Sequence, residues 1–302
     1  DLAADLPQVS PALRRLVLEA TRPAVSERLR DVTQFLAGLA KAEQELATPE
    51  ELLTVDPLEA VRDTVLDGRF RLEQRLGAGS TAVGLLVQDL QAGGELRVLK
   101  VAIDDAAAQR LEAEADVLRQ LNHPRLVRLI EGPIEVGNRR ALLLERAGTE
   151  TLAEVLRDRG RLSLDLLERW GTDLLEALVA LDRARVDHRD IKPANLGVRE
   201  SKSDRAKHLV LFDFSLARAG ATSLTAGTPP YLDPFLEDRG RYDSAAERYA
   251  AAVVLFEMAT GRTPVYGDGQ TDPKVIDDEV TLSPQMFDPS VADACVSFFR
   301  VA

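Results

Sequence analysis

Residues 186–198 read VDHRDIKPANLGV and pack a His, an Arg, two Asp, a Lys and an Asn between short apolar flanks. A solvated loop with a proline would account for the composition. The spacing allows more, because Asp190, Lys192 and Asn195 converge on one point if the loop folds back on itself. Three further stretches carry groups suited to a phosphorylated ligand. In LGAGSTAVG, 76–84, Gly77 and Gly79 would let backbone N–H groups approach a phosphate, between strands rather than at a strand-to-helix turn; a plain hairpin turn is the competing reading. Lys100 lies in the apolar run RVLKVA, where a buried ammonium needs an anion. Glu112 and Glu114 follow on a helical pattern, and Glu114 shares the face of Val117, Leu118 and Leu121. An edge-strand lysine and a surface glutamate would fit the same residues. In VLFDFS, Asp213 ends a strand, and with Asn195 it makes a pair of hard oxygens suited to Mg²⁺.

Positioning such groups takes a scaffold, and the patterning changes along the chain. Up to about residue 66 it is helical: Ser10 and Pro11 open one helix, AVSERLRDVTQFLAGLAKAEQEL carries an apolar stripe of Val25, Leu29, Val32, Leu36 and Leu39, and DPLEAVRDTVL restarts at Asp56 and Pro57. From Phe70 the period becomes that of strands, with one helix over AAAQRLEAEADVLRQL and further strands in LVRLIEGPIE and RRALLLERAG. After Gly148 helices dominate again, interrupted by the short strand HLVLF, while RESKSDRAK, 199–207, is a polar hairpin-like excursion. This is an α+β pattern: a small sheet with one helix, then a helical half.

Composition sets the outer limits. A chain of 302 residues, 45% hydrophobic and 29% charged, can bury a sizeable core. A formal net charge of −12 would repel phosphate backbones and anionic lipid, so direct nucleic-acid binding is not expected and a phosphate site would need local positive charge. One cysteine, Cys295, fits a reducing cytoplasm, and no apolar run approaches the ~18 residues of a membrane span. The chain opens on Asp rather than Met, which suggests part of a longer polypeptide. Only six lysines occur, Lys41, Lys100, Lys192, Lys202, Lys207 and Lys274, so those at the motifs stand out.

Taken in order, the glycine-rich hairpin, strand lysine, helix glutamate, HRDIKPAN and DFS resemble protein kinases over roughly residues 68–300. The resemblance implies a two-lobed fold, with an N-lobe at 67–147, a C-lobe at 148–302 that is truncated at its end, and a helical extension at 1–66 before it. It implies ATP and Mg²⁺ as cofactors and Ser or Thr of a protein as acceptor. Lys100 would hold the α and β phosphates, oriented by Glu114. Asp190 would take the substrate hydroxyl proton, Lys192 would neutralise the γ-phosphate, and Asn195 and Asp213 would hold the metal. The nucleotide would lie against Gly77, Ala78, Gly79, Ser80, Gly84 and Val98. Leu144 would be the gatekeeper, with Glu145 to Ala147 as the adenine-binding hinge. His188, Phe214, Leu118 and Leu129 would stack as a spine, and GTPPYLDPF would face the substrate with Thr228 on Asp190 and Lys192. Arg189 implies control by phosphate on Thr222, Ser223 or Thr225.

The composition and LDGRFRLEQRLGAG are similar to bacterial kinases of the eukaryotic type, and the helical lead-in with the DFS turn is similar to large phage-defence kinases (phage growth limitation, BREX). Several positions depart from the family pattern. Ala82 replaces the third glycine, and Gly84 and Val98 would trade volume around adenine. Gly197 in place of the floor leucine implies a roomier pocket. Ser215 after Phe214 would stiffen that turn. Phe235 replaces a pairing glutamate, and Glu247 stands where an aspartate braces the catalytic loop. A pseudokinase scaffold and a small-molecule phosphotransferase are the alternatives.

Overall fold

A computed structural model describes residues 11–24, 26, 28–29, 31–47, 55–201, 203–220, 222–269 and 280–301. The chain divides into two compact units, Asp1–Val55 and Asp56–Ala302. In the first, α1 spans Pro11–Ala20 and α2 spans Val32–Ala47. The helix expected from Ala24 onward starts instead at Val32, because the Asp31 carboxylate accepts the Gln34 N–H at 2.9 Å and caps a new helix there. Leu29 therefore precedes the helix, and Val25 lies outside the described residues. Gly38 faces Leu16, the buried residue of α1, while Val32, Leu36 and Leu39 are exposed.

The second unit begins earlier than the strand pattern suggested. Residues 56–66 form turns and a short strand, not a third helix. Asp56 accepts the Leu58 N–H at 2.9 Å and is clamped by both arms of Arg139 at 2.6 Å, which spends its helix-capping capacity on a single turn. Asp63 and Thr64 then exchange hydrogen bonds with Leu72 at 2.8 Å, so the chain joins the sheet as β1, Val65–Leu66.

A six-stranded antiparallel sheet follows in the order β1-β2-β3-β4-β6-β5, with β2 Phe70–Ala78, β3 Ala82–Asp89, β4 Glu95–Ala102, β5 Leu129–Val136 and β6 Arg139–Glu145. Both faces are packed, and the period of two assigns them. Val83, Leu85, Val87, Leu99, Val101, Ala141 and Leu143 bury into one core with Leu66, Phe70 and Leu72. Ala82, Ala102, Leu142 and Leu144 enter the other, which runs on through α3, Asp105–Leu118, into the helical half. Strand β5 begins at Leu129 and not at Leu126, because Leu126 bridges to Leu211.

The helical half contains α4, Leu152–Arg159, opened by a Thr151–Glu154 capping box; α5, Leu164–Ala184; α6, Leu236–Arg239; α7, Ser244–Thr260; and α8, Ala292–Phe299. Helix α7 is apolar nearly all round and lies in the core, as such a helix must. A three-stranded sheet pairs β7, Glu150–Thr151, which precedes α4, with β8, Leu196–Glu200, and β8 with β9, Lys207–Leu211, both of which follow α5; the β8–β9 turn contains the polar excursion. The fold is the two-lobed kinase fold: a small sheet with one helix above a helical lobe. No described helix is long and apolar enough to cross a membrane.

Candidate active site

Lys100, Glu114 and Asp213 meet in one cleft between sheet and helices, where Asp190, Lys192 and Asn195 also converge. Lys100 leaves β4 on the face that also carries Val98, and their cross-strand partners, Gly84 opposite Lys100 and Leu86 opposite Val98, share that face. Its ammonium lies 2.8 Å from each oxygen of Glu114 and 2.7 Å from Asp213 Oδ1. Glu114 reaches inward because Leu111, Ala115 and Leu118 hold that face of α3 in the core; Glu112 instead points at Arg140, 3.7 Å away at the surface. Burial works against the lysine's charge, but two carboxylates face one ammonium and the Lys100 pKa rises above its ordinary value. The Asp213 carboxyl is held at about 2, since Lys100 outweighs its burial and Ser215 adds a hydrogen bond.

The loop after α5 folds back as its spacing allowed. Helix α5 stops at Arg185, whose left-handed φ of 55° turns the chain. The Asp190 carboxylate then receives Asn195 Nδ2 at 2.9 Å, the Thr228 hydroxyl at 2.7 Å and the Lys192 ammonium at 2.6 Å. Lys192 also donates to the Thr228 oxygen at 2.8 Å, so the segment GTPPYLDPF touches the loop at the point expected. Asn195 donates through its side-chain amide nitrogen to the Asp190 backbone carbonyl at 2.8 Å as well as to its carboxylate at 2.9 Å. The strand of Asp213 is tied to the loop by Phe212 N–H donating to the Asn195 carbonyl at 3.0 Å. Arg189 and Asp213 both adopt left-handed backbone, φ 69° and 67°, which for residues with a Cβ is a strain held by surrounding contacts.

Those contacts centre on His188 and Glu247. His188 is fully buried, bonds the Phe212 carbonyl at 3.0 Å and meets the Phe214 ring edge-on at 4.6 Å; burial lowers its pKa, keeping it neutral. Leu118 and Phe214 belong to the same core, and Leu129 packs against it. Glu247 accepts the Arg189 N–H and the Tyr242 hydroxyl, each at 2.7 Å, and burial lifts its carboxyl to about 7 against those bonds. Tyr242 was not anticipated: its ring carries the Arg189 guanidinium at 4.6 Å, and an isolated tyrosine before a helix gives no signal of that role. Arg189 also donates to the Gly220 carbonyl at 2.9 Å, so its charge is already engaged while Thr222 and Thr225 are exposed and Ser223 is half-buried.

Three departures acquire a physical account. Gly197 does not make the floor roomier: a Cβ there would lie 2.8 Å from Ala147, because the hinge has closed onto β8 and fills the volume. Gly148 shows the same approach, its position lying 2.3 Å from the Val198 carbonyl oxygen for any added Cβ. Phe235 is exposed, and Asp233 takes over anchoring, with Arg239 at 2.5 Å and the Phe235 N–H at 2.8 Å. Ser215 keeps ordinary backbone and spends its hydroxyl on Asp213.

Gly148→Ala should therefore destabilise the fold at the upper end of the about 1–3 kcal/mol typical of overpacking, since the atoms met are backbone held by the β7–β8 pairing. Denaturant midpoints at unchanged slope would measure it, and an unchanged midpoint would refute the close approach.

Near the hinge, Leu144 is buried and pairs with Val98 across β4 and β6, Glu145 is tied to Arg199 at 2.8 Å, and Ala147 lies over Gly197. Gly77 pairs with Gly84 and Ala78 with Val83, and the Gly79 N–H closes the turn on the Ala82 carbonyl at 2.8 Å, so Ser80 sits at its tip.

The sequence profile of the family described as Protein kinase domain matches residues 70–296. The chain is 39% identical to "Probable kinase PglW" of Streptomyces coelicolor over 97% of its length, which is 22% of that protein. It is 33% identical to the serine/threonine-protein kinase pkn2 of Myxococcus xanthus and 32% identical to the serine/threonine-protein kinase PkaA of Streptomyces coelicolor, over 67% and 66% of the chain. Those alignments cover 26% and 40% of the two relatives, so the chain spans well under half the length of each protein it matches here.

Proposed function

The chain belongs to the protein kinase domain family, and from that premise we propose that it transfers the γ-phosphoryl of ATP to Ser or Thr hydroxyls of a protein substrate. The observation that carries the reading is the single lysine shared by Glu114 of α3 and Asp213 after β9, because it couples the helix position to the phosphate end of the cleft. In this reading Lys100 binds the α and β phosphates, Glu114 fixes it, and backbone N–H groups of residues 77–80 cover them. Asp190 receives the substrate hydroxyl and orients it in line, while Lys192 offsets charge on the phosphoryl in flight. The contact of Thr228 with both residues supports a peptide acceptor over a small-molecule one. Retention of Lys100, Asp190 and Asp213 in bonded positions favours an active enzyme over a scaffold.

Asn195 and Asp213 fit a magnesium ion: an amide oxygen and a carboxylate ionised down to about pH 2 are hard ligands on facing elements. Among the described residues no group of three or more His, Cys, Asp or Glu could hold a metal alone, so such an ion would share phosphate oxygens. Magnesium would supply charge neutralisation between the phosphates. Nucleotide affinity should accordingly fall when Mg²⁺ is withheld and when Asp213 becomes Ala, read by titration of a fluorescent ATP analogue; equal affinity with and without Mg²⁺ would count against this assignment.

Regulation through Thr222, Ser223 or Thr225 requires an added phosphate to draw Arg189 from the Gly220 carbonyl, which a doubly charged group can do. The likeness to PglW supports placing the chain in a large bacterial kinase of phage defence, working in the cytoplasm as part of a longer polypeptide. The test is incubation with labelled ATP, Mg²⁺ and a generic protein. Label on Ser or Thr is expected; nucleotide binding with no transfer would favour the scaffold.

A further inference from the structure

The turn at residues 56–60, just before β1, touches both parts of the sheet that hold phosphate in the kinase reading. We propose that Asp56 is a positioning residue: through this turn it clamps the glycine-rich turn 77–80 to the start of α3, the helix that carries Glu114, an inference that rests on the kinase reading above. One arm runs to the glycine-rich turn. The Asp56 carboxylate accepts the Leu58 N–H at 2.9 Å, and the turn it holds aims the Leu58 and Ala60 carbonyls at the Arg75 guanidinium, which donates to both, to Ala60 at 3.4 Å. Arg75 stands two residues before Gly77 in β2, and the register of β2 on β3 shifts on either side of it, between Leu72 and Gln74 and between Arg75 and Gly77. A strand interrupted twice over that length is held loosely by its ladder, so a side-chain anchor at Arg75 sets where the turn lies.

The other arm runs to α3. Both oxygens of Asp56 take Arg139 at 2.6 Å, and the remaining nitrogen of that guanidinium donates to the Ile103 carbonyl at 2.7 Å. Ile103 immediately precedes Asp104, whose carboxylate caps α3 by accepting the Ala107 N–H at 2.7 Å. The two arms close on each other, because the Ile103 N–H donates to the Thr81 carbonyl beside the glycine-rich turn at 3.3 Å. Packing alone does not account for the polar part. Pro57 and Ala60 are buried and Leu58 is half-buried, and Leu58 and Ala60 join the core of Leu66, Phe70 and Leu72, which an apolar lid does without any fork. Asp56 and Arg139 stay partly in solvent, where an ion pair adds little to stability. What a bidentate pair supplies there is direction, since its planar geometry fixes the third nitrogen on Ile103. The hydrogen bonds from Arg139 hold the Asp56 carboxyl below the ordinary carboxylate range, so the clamp is charged at neutral pH.

The test compares Arg75→Gln, Arg139→Gln and Asp56→Ala with the unaltered chain by amide hydrogen exchange and by steady-state kinetics on a generic protein acceptor. Exchange should rise at residues 76–84 in Arg75→Gln, at 103–114 in Arg139→Gln and at both in Asp56→Ala, with the helical lobe unchanged. The KM for ATP should rise roughly fivefold or more in Asp56→Ala while the KM for the acceptor stays within about twofold, because only the nucleotide rests on the clamped parts. Combining Asp56→Ala with Arg139→Gln should be little worse than Asp56→Ala alone. A purely structural role gives another pattern: less folded enzyme, hence a lower apparent kcat at unchanged KM for ATP, with exchange rising evenly through the sheet. That pattern overturns the proposal, as does additivity in the double variant. Should Asp56→Ala not fold, Arg75→Gln carries the same kinetic expectation and decides. If the unaltered chain transfers no phosphate, the kinase reading fails by itself, and the exchange pattern still judges the clamp: protection lost at both segments in Asp56→Ala supports it, and unchanged protection overturns it.

Discussion

Asp190→Asn should lower phosphoryl transfer by about 10²–10⁴-fold while nucleotide affinity changes little. The carboxylate sits at the junction of Asn195, Thr228 and Lys192, and in this structure a threonine hydroxyl already donates to it at 2.7 Å. In the proposed mechanism an incoming acceptor hydroxyl would donate to the same carboxylate. Asparagine keeps the size but loses the charge and the capacity to take a proton, so the acceptor would be held less well and not activated. The nucleotide is contacted in this reading by Lys100, the residue 77–80 turn and the hinge, none of which depends on Asp190. Comparing single-turnover transfer with nucleotide titration separates the two, and a variant with near-normal turnover would remove Asp190 from the catalytic role.

The convergence of Asp190, Lys192 and Asn195 and the pairing of Lys100 with Glu114 could be read from the chain because each part is local: a run of alternating apolar residues, a helical period, or a loop whose charges are within six residues; the second partner of Lys100, Asp213, lies 113 residues on and gave no such signal. Glu114 was distinguishable from Glu112 by helical period alone, and the structure sends one to Lys100 and the other to the surface. The failures share a different cause. Asp56 and Pro57 look like a helix start, yet Arg139, 83 residues later, takes the carboxylate. Gly197 looks like lost volume, but only the path of the hinge shows what fills it. Tyr242 on Arg189 and Tyr231 on Glu257 join residues 53 and 26 positions apart by contacts that no periodicity encodes. Asp233 for Phe235 is a substitution of anchor two residues away, visible only once Arg239 is placed.

Lys100→Met and Glu114→Ala should each cripple activity, and the double variant should be little worse than Lys100→Met, since both act through one ammonium. Their effects on stability should differ, because the lysine has two partners and the glutamate's charge has one cation. Removing Glu114 leaves Lys100 paired with Asp213 at 2.7 Å. Removing Lys100 strands a carboxylate that is 3% exposed, a loss of about 3–5 kcal/mol for a buried pair broken on one side. Burial then governs Glu114 and raises its folded pKa above the unfolded one. A raised acid contributes stability below its unfolded pKa and loses it as pH rises through the folded value, so Lys100→Met should recover at acidic pH relative to wild type. Adding Glu114→Ala to Lys100→Met should remove both the stranded charge and that pH dependence, leaving a chain more stable near neutrality than Lys100→Met alone. Chemical denaturation of the four proteins at pH 5 and pH 8 measures all of this. Additive losses in stability and in turnover would show that Lys100 and Glu114 are not partners.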